Sequence, residues 1–225
     1  MFKYFKDIAL ILSVSAIILI TVIICVCAAS CSGEKLTFKT QYYFICYRIA
    51  DNSVSASSLS DTALSYGGAG YILNYEQNYY VTISCYYSLN DAQSVCDSLK
   101  KRDLECSVLT IETENYPLKG YSAKQNSELY LGNLNTLNSL TKIAYECANK
   151  LDTGEYNQST AKQICYSIKK SINALLNSNE NNCFTEKLNF LKSECEAKES
   201  GYVYSKDMRY IQIAIADAVI SAQLF

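Results

Sequence analysis

Four side chains that could bind a sugar alternate along one short aromatic stretch of the chain. Tyr80, Thr82, Ser84 and Tyr86 occupy every second position, so in a β-strand they share one face. Tyrosine rings can stack on sugar rings, and the hydroxyl groups beside them can bond sugar hydroxyls. Arg48 is a further candidate, at the rim of the sheet face that these four residues share. We therefore predict a glycan-binding row at these positions. In a competing interpretation, tyrosine only fills strands, for which it has a high propensity.

The composition narrows the chemistry that the chain can perform. It contains no histidine, which excludes His-based triads, His general bases and mixed Cys/His zinc sites. The net charge is −2, and no basic cluster is long enough to follow phosphates, so we expect no nucleic-acid partner. No nucleophile motif or diagnostic carboxylate spacing is found. We therefore expect a protein that is not an enzyme and needs no metal or cofactor.

The candidate row belongs to a segment whose pattern predicts strand, helix and strand. Tyr79–Tyr87 is the first strand, and its other face carries Val81, Ile83 and Cys85. Ser88 is a good N-cap for the helix that follows, and Asp91 completes a capping box. The helix has one apolar stripe, formed by Ala92, Val95, Cys96 and Leu99. A second strand is predicted at Glu105–Ile111.

The residues before this segment also predict a strand, a helix and a strand. Tyr42–Ala50 is a strand, Asn52–Tyr66 a helix that Gly67 and Gly68 can end, and Tyr71–Tyr75 a strand paired with the next in a hairpin. The order β-α-β-β-α-β over residues 41–113 predicts a four-stranded antiparallel sheet with both helices on one face. The inward face of the first strand stays open. It is either Tyr42, Phe44, Cys46 and Arg48 or Tyr43, Ile45, Tyr47 and Ile49.

Two stretches, GAGYI…YYVTISCYY and DAQSVCDSLKKRDLECSVL, resemble the sporulation-related repeat (SPOR) domain, a family that binds bacterial peptidoglycan. The family pattern of a Y-x-V-x-apolar strand followed by an A-x-x-V/L-x-x-x-L helix falls here on Tyr79, Val81, Ile83, Ala92, Val95 or Cys96, and Leu99. The resemblance covers about 70 of the 225 residues. It implies that glycan strands bind on the open face of the sheet, and it implies a role in cell division or sporulation.

The N-terminal residues predict a membrane anchor. Ile8–Ala29 carries no charge over 22 residues, enough for a helix to cross a hydrocarbon core of about 30 Å. Lys3 and Lys6 precede it and favour a cytoplasmic N-terminus. We therefore expect a cytoplasmic tail at 1–7, a transmembrane helix at 8–30, and a single-pass cell-membrane protein whose remaining residues lie outside.

Eleven cysteines raise the question of disulfides. Several occupy apolar helical positions, and no CxxC pair occurs outside the membrane run. We therefore expect most of the extracytoplasmic cysteines to be unpaired, acting as small buried apolar residues.

After about residue 126 the pattern becomes helical. Four apolar stripes of helical spacing are separated by short polar breaks, which favours a C-terminal four-helix bundle at 126–225. The last stripe continues on most faces of its helix, so we expect that helix at the bundle centre. Together these features predict an α+β protein with an anchor, a SPOR-like domain at 41–113 and a helical domain.

Two functions remain open. The first is a membrane-tethered module that recognises peptidoglycan. The second is a non-catalytic structural or assembly protein that binds another envelope protein through its sheet or its helices. An exposed polar and aromatic sheet face favours the first, and a large apolar patch favours the second.

Overall fold

The described chain is an α+β fold with a four-stranded antiparallel sheet and six helices. A computed structural model describes residues 38–113, 124–177 and 185–223. The first part comprises β1 (Thr40–Ala50), α1 (Ser53–Ser65), β2 (Tyr71–Tyr75), β3 (Asn78–Tyr86), α2 (Leu89–Lys100) and β4 (Ser107–Thr113). The second part comprises α3 (Lys124–Asp152), α4 (Gln158–Asn177), α5 (Thr185–Ser200) and α6 (Ser205–Gln223). The β-α-β-β-α-β order predicted for residues 41–113 is confirmed.

Local residue chemistry explains where the first two helices begin and end. The Asn52 side chain accepts a hydrogen bond from the Ser55 amide at 2.9 Å, and Ser88 caps α2 by accepting one from the Asp91 amide. Helix α1 is followed by Gly67, which adopts a left-handed conformation with φ of +81°. The predicted N-cap at Ser88 and the predicted glycine stop are therefore confirmed.

The strands lie in the order β2-β3-β1-β4. The pairing of β1 with β3 changes register twice, between Ile45 and Cys46 and between Cys46 and Arg48. Each change inserts an unpaired residue and reverses the alternation of side chains beyond it. The prediction that Val81, Ile83 and Cys85 share one face of the strand is therefore wrong. Val81 packs with α1, whereas Cys85 belongs to the core on the other side of the sheet.

Helices cover both faces of the sheet. One face, which we call the pocket face, packs against α1 and α2 through residues that include Tyr43, Ile45 and Tyr47. The other, the bundle face, shares one apolar core with the C-terminal helices through Tyr42, Phe44 and Cys46. Each alternative for the inward face of the first strand is thus buried in part, against a different layer, while Arg48 and Ile49 near the end of β1 are exposed.

The four C-terminal helices bury the stripes that the sequence predicts. Helix α3 packs along α6, and α4 packs along α5. Residues 211–220 of α6 are all buried, which agrees with the central position expected for the last helix. This helix lies against β2 and β3 as well as against α3 and α5. The described parts of 41–113 and 126–225 therefore share a core within one compact unit.

The predicted membrane run, Ile8–Ala29, lies outside the described residues. Within 38–113, 124–177 and 185–223, no helix combines the length and the apolar character needed to cross a bilayer.

Candidate functional site

The predicted glycan-binding row does not form an exposed surface. Thr82 and Ser84 are buried, at 0% and 4% exposure, and Tyr80 and Tyr86 are half-buried. Tyr80 packs against the core of the bundle face, whereas Tyr86 packs among the residues around α2. The expectation of an open face was wrong because α3 and α6 occupy it, and because the register changes turn the row to two different sides.

Arg48 is exposed, as expected of a rim residue, but its guanidinium pairs with the Glu105 carboxylate. The Arg48 guanidinium carbon also lies 5.6 Å from the centroid of the Tyr47 ring. Arg48 is therefore partnered locally; it is paired with Val81 in the sheet, between Tyr80 and Thr82, and its side chain does not line the cavity described below.

On the bundle face, tyrosine hydroxyls join the sheet to the helices. The Tyr42 hydroxyl donates to Asn138 Oδ1 at 3.0 Å, and the Tyr87 hydroxyl donates to Thr141 Oγ1 at 2.6 Å. Burial raises the pKa of both phenols. Each ring fills apolar space while its polar tip finds a partner, so these tyrosines have a structural role.

A buried carboxylate on α6 anchors a third tyrosine of this face. Asp217 accepts hydrogen bonds from the Tyr71 hydroxyl at 2.7 Å, from Lys187 Nζ at 2.6 Å and from the Ser221 hydroxyl at 3.2 Å. Burial and the neighbouring carboxylate raise the pKa of Tyr71, which therefore stays a neutral donor. The polar groups of this cluster are paired with one another, which leaves little for a ligand to bind.

The pocket face is covered less completely. Helices α1 and α2 pack on separate small clusters of the sheet, and a cavity of about 250 Å³ lies between them. We call it the interhelix pocket. Its wall includes Tyr47, Tyr66, Ser84, Tyr86, Arg102 and Arg209. The first helix contributes Ala63 and Tyr66, the second Val95 and Leu99, and the sheet forms the floor.

The floor of the interhelix pocket carries a buried hydroxyl without a partner. Ser84 Oγ makes no hydrogen bond of good geometry within the part of the chain that the structure describes, and the Tyr86 side chain lies close enough to interact with it weakly. A buried polar group in that condition costs about 1–3 kcal/mol unless a ligand or water satisfies it. Gly68 lies beside it, and a Cβ at that position would come within 3.1 Å of both the Ala63 carbonyl oxygen and the Ile83 side chain. Glycine thus allows the loop after α1 to approach the strand.

Two arginines line the pocket wall, and one of them adds a positive charge that no described ion pair compensates. Arg102 follows α2, is exposed, and forms no ion pair with any described residue. Arg209 comes from α6 and pairs with Asp152. Burial raises the pKa of the Tyr86 phenol, whereas weak hydrogen bonding with the Ser84 side chain and the charge of Arg209 lower it in part. The wall therefore offers hydrogen-bond donors and positive charge to an anionic group.

Aromatic rings form the remaining wall of the interhelix pocket. Tyr47 and Tyr66 contact each other with ring centroids 6.3 Å apart, and Tyr66 is 66% exposed. One exposed and one half-buried tyrosine ring beside a cavity of mixed polar and apolar lining suit the stacking of a flat or ring-shaped ligand.

The structure thus brings two of the five predicted site residues, Ser84 and Tyr86, into one cavity, and it separates Tyr80, Thr82 and Arg48 from it. The other wall residues were interpreted differently from sequence. Gly67 and Gly68 carried only the signal of a helix stop. Arg209 carried no sequence signal, because only the packing of α6 brings it near β3.

No family model matches the chain, and no curated protein or solved structure shows significant similarity to it. The resemblance to SPOR domains therefore stays a prediction from the residues.

Proposed function

We propose that this chain is a non-catalytic binding protein that holds a small, hydroxylated, anionic ligand in the interhelix pocket. The observation that carries the proposal is the buried Ser84 hydroxyl, which has no hydrogen bond of good geometry with any described residue and lies on the floor of a cavity flanked by arginine and tyrosine. A carboxylate on the ligand would pair with Arg102, and ligand hydroxyls would satisfy Ser84. The tyrosine rings would stack on the body of the ligand.

We further propose that the ligand is a sugar of the bacterial wall and that the chain is tethered to the membrane by Ile8–Ala29, with residues 1–7 in the cytoplasm and the residues after the anchor outside. A cavity of about 250 Å³ is below the usual range of about 300–1,000 Å³ for ligand sites, so it suits one sugar ring. Recognition would then concern a single residue of a peptidoglycan strand, such as its terminus. The tethered position would place the module next to the wall, in keeping with division or sporulation.

A matched pair of sugars tests this proposal. N-acetylmuramic acid and N-acetylglucosamine share a ring and differ in the carboxylate-bearing substituent. Calorimetry with the full-length chain in mild detergent should show tighter binding of the acidic sugar, by about 10-fold or more, because a charge-assisted hydrogen bond contributes about 1.5–3 kcal/mol. Equal affinity for the two sugars would contradict the proposed role of Arg102.

Pocket variants sharpen the test. Arg102→Gln should remove most of the preference for the acidic sugar, and Ser84→Ala should weaken binding of both sugars by about 2- to 10-fold. Arg48→Gln is the matched control, since it removes an arginine outside the pocket and should leave both affinities unchanged. Binding that is insensitive to Ser84 and Arg102 would place the site elsewhere.

A second candidate function is docking of another envelope protein, and one exposed aromatic pair favours it. Tyr202 and Tyr204, just before α6, are 60% and 54% exposed, and their rings contact each other at 4.7 Å. A photo-crosslinking residue at position 202 should then give one discrete adduct in intact cells. The same residue at exposed Asn135 is the control. Equal, diffuse labelling at both positions would reject this docking surface.

A further inference from the structure

Two buried thiols contact each other beside the interhelix pocket. Cys96 on α2 and Cys106, just before β4, have their Sγ atoms 3.0 Å apart. The Cys106 thiol also donates to the Cys96 carbonyl oxygen at 3.3 Å. The separation is only about 1 Å longer than an S–S bond of about 2.05 Å.

The turn between the two cysteines already holds them in this position. The Arg102 and Leu104 amides both donate to the Leu99 carbonyl oxygen, at 2.9 and 3.2 Å. Asp103 between them adopts a left-handed conformation with φ of +60°. Joining the two sulfurs therefore requires little movement of the backbone. The need for a large backbone movement is the usual obstacle to forming a disulfide.

Other buried cysteines are arranged differently. The Cys46 thiol points to the Phe44 carbonyl oxygen, and the Cys165 thiol contacts Met208 Sδ at 3.5 Å. Within the described ranges, Cys96 and Cys106 form the single cysteine pair linked thiol to thiol. The geometry thus separates one pair from a set of thiols that act as apolar filling.

We propose that Cys96 and Cys106 are a disulfide-forming pair that fastens the turn between α2 and β4. The oxidant is a disulfide, from a small molecule or from a thiol oxidoreductase. The Cys106 thiolate attacks one sulfur of the oxidant, whose other sulfur leaves as a thiol and takes a proton. The Cys96 thiolate then attacks Cys106 Sγ in the mixed disulfide and releases the second thiol. Two protein thiols are oxidised, and one external disulfide is reduced to two thiols.

The order of attack follows from exposure. Cys106 is 8% exposed, whereas Cys96 is fully buried, so an external oxidant reaches Cys106 first. Burial raises the pKa of Cys106 to about 12, with Cys96 beside it adding to the rise. Because the thiolate is the attacking species, the reaction should be slow near neutral pH and faster as the pH rises.

The bond would close a loop between cysteines ten positions apart, and this loop contains Arg102 and Leu104. Both residues line the interhelix pocket. Oxidation would therefore restrict the turn that presents Arg102. The proposed disulfide itself does not depend on the identity of any ligand.

Peptide mapping of the full-length chain tests the proposal. The folded, reduced protein in mild detergent is incubated with oxidised glutathione at mildly alkaline pH, denatured with an alkylating reagent, and digested for mass spectrometry. We expect one crosslinked peptide pair joining Cys96 to Cys106, and a rise of about 5–10 °C in the melting temperature. Persistent alkylation of both cysteines, or a crosslink from either one to a different cysteine, would overturn the proposal.

Single substitutions supply the control. Cys106→Ser should abolish the rise in melting temperature on oxidation, whereas Cys195→Ser, which alters a buried thiol of the helical layer, should retain it. If Cys106→Ser proves too unstable to melt, the crosslinked peptide of the unsubstituted chain still decides the question. A Cys106→Ser protein that gains the same thermal shift would show that the pair is not its source.

Discussion

The two faces of the sheet are both covered by helices, yet they differ in how the cover meets the strands. On the bundle face, the long helices α3 and α6 form one continuous core with the sheet, and the hydroxyls of Tyr42, Tyr71 and Tyr87 each find an acceptor. On the pocket face, the short helices α1 and α2 pack on separate clusters and leave a cavity between them.

Two buried hydroxyls on one strand differ in their pairing. Buried Thr82 donates to the Tyr71 carbonyl oxygen at 2.8 Å, whereas buried Ser84, two residues further along the same strand, has no described partner in good hydrogen-bond geometry. A satisfied polar group contributes to stability, and an unsatisfied one lowers it, unless something else binds there. The ligand proposed above would bind on the pocket face, where it could satisfy Ser84.

The largest expected effect tests whether the sheet and the helices unfold together. Phe44 and Ile45 are adjacent on β1, fully buried, and face opposite layers. Phe44→Ala should cost about 3–5 kcal/mol and Ile45→Ala about 2–5 kcal/mol. Because one core joins the layers, both changes should shift a single denaturant transition. Two separate transitions, with only one affected by Phe44→Ala, would show that the layers are independent.

A smaller effect is expected where Tyr71 meets Asp217. Tyr71→Phe removes a hydrogen bond to a buried carboxylate and should lower the free energy of unfolding by about 1.5–3 kcal/mol. Tyr47→Phe on the pocket face should change it by less than about 0.5 kcal/mol. Chemical denaturation of the two variants measures both values. Equal losses would remove the proposed distinction between the faces.

Alkaline pH should act on the same bundle-face tyrosines. Burial raises the pKa of Tyr42, Tyr71 and Tyr87, so in the folded protein they keep their protons above pH 10, where the unfolded chain loses them. Their contribution to stability is present below about pH 10 and falls as the pH rises, by about 1.4 kcal/mol per pH unit for each tyrosine. Tyr71→Phe should reduce the slope of the free energy of unfolding against pH by about 1.4 kcal/mol per pH unit, the contribution of one tyrosine. A slope identical to that of the unsubstituted chain would contradict the assignment.

Thr82 and Ser84 offer a matched comparison on one strand. Thr82→Val should cost about 1 kcal/mol, because it removes a hydrogen bond to a backbone carbonyl. Ser84→Ala should leave the free energy of unfolding unchanged or slightly higher in the absence of ligand. Thermal melts of both variants measure the difference. A loss above about 1 kcal/mol for Ser84→Ala would show that its hydroxyl already has a partner.

The smallest effect is expected at Arg48, which the sequence placed at the binding rim. Its ion pair with Glu105 is solvent-exposed, with side-chain exposures of 49% and 72%. Arg48→Ala should therefore change the free energy of unfolding by about 0–1 kcal/mol, as measured by chemical denaturation. A larger loss would point to a structural role for the Tyr47–Arg48 contact.

The order of the elements was predictable because each depends on nearby residues. Ser88 caps α2 through the Asp91 amide three positions on, and glycine ends α1 at Gly67, both within reach of a sequence pattern. The apolar stripes of the C-terminal helices were predictable for the same reason. The buried run 211–220 of α6 follows from a sequence that is apolar on most faces.

The candidate site was only partly predictable. Ser84 and Tyr86 were identified by their chemistry, but their neighbours Tyr66, Arg102 and Arg209 come from the end of α1, from the turn after α2 and from α6, which meet only in the folded chain. The register changes in β1 and β3 also escaped the pattern, because strict alternation was assumed where each strand inserts one residue.

By itself, the sequence determined the strands and helices, their order and their apolar stripes, since these follow from side-chain periodicity and from caps a few residues away. Tertiary structure alone decided which sheet face each tyrosine occupies, which hydroxyls are paired and where the cavity lies. Those outcomes depend on contacts between distant residues, such as Tyr71 with Asp217, 146 positions apart. A single buried hydrogen bond of that kind can change the role of a side chain from ligand contact to structural support.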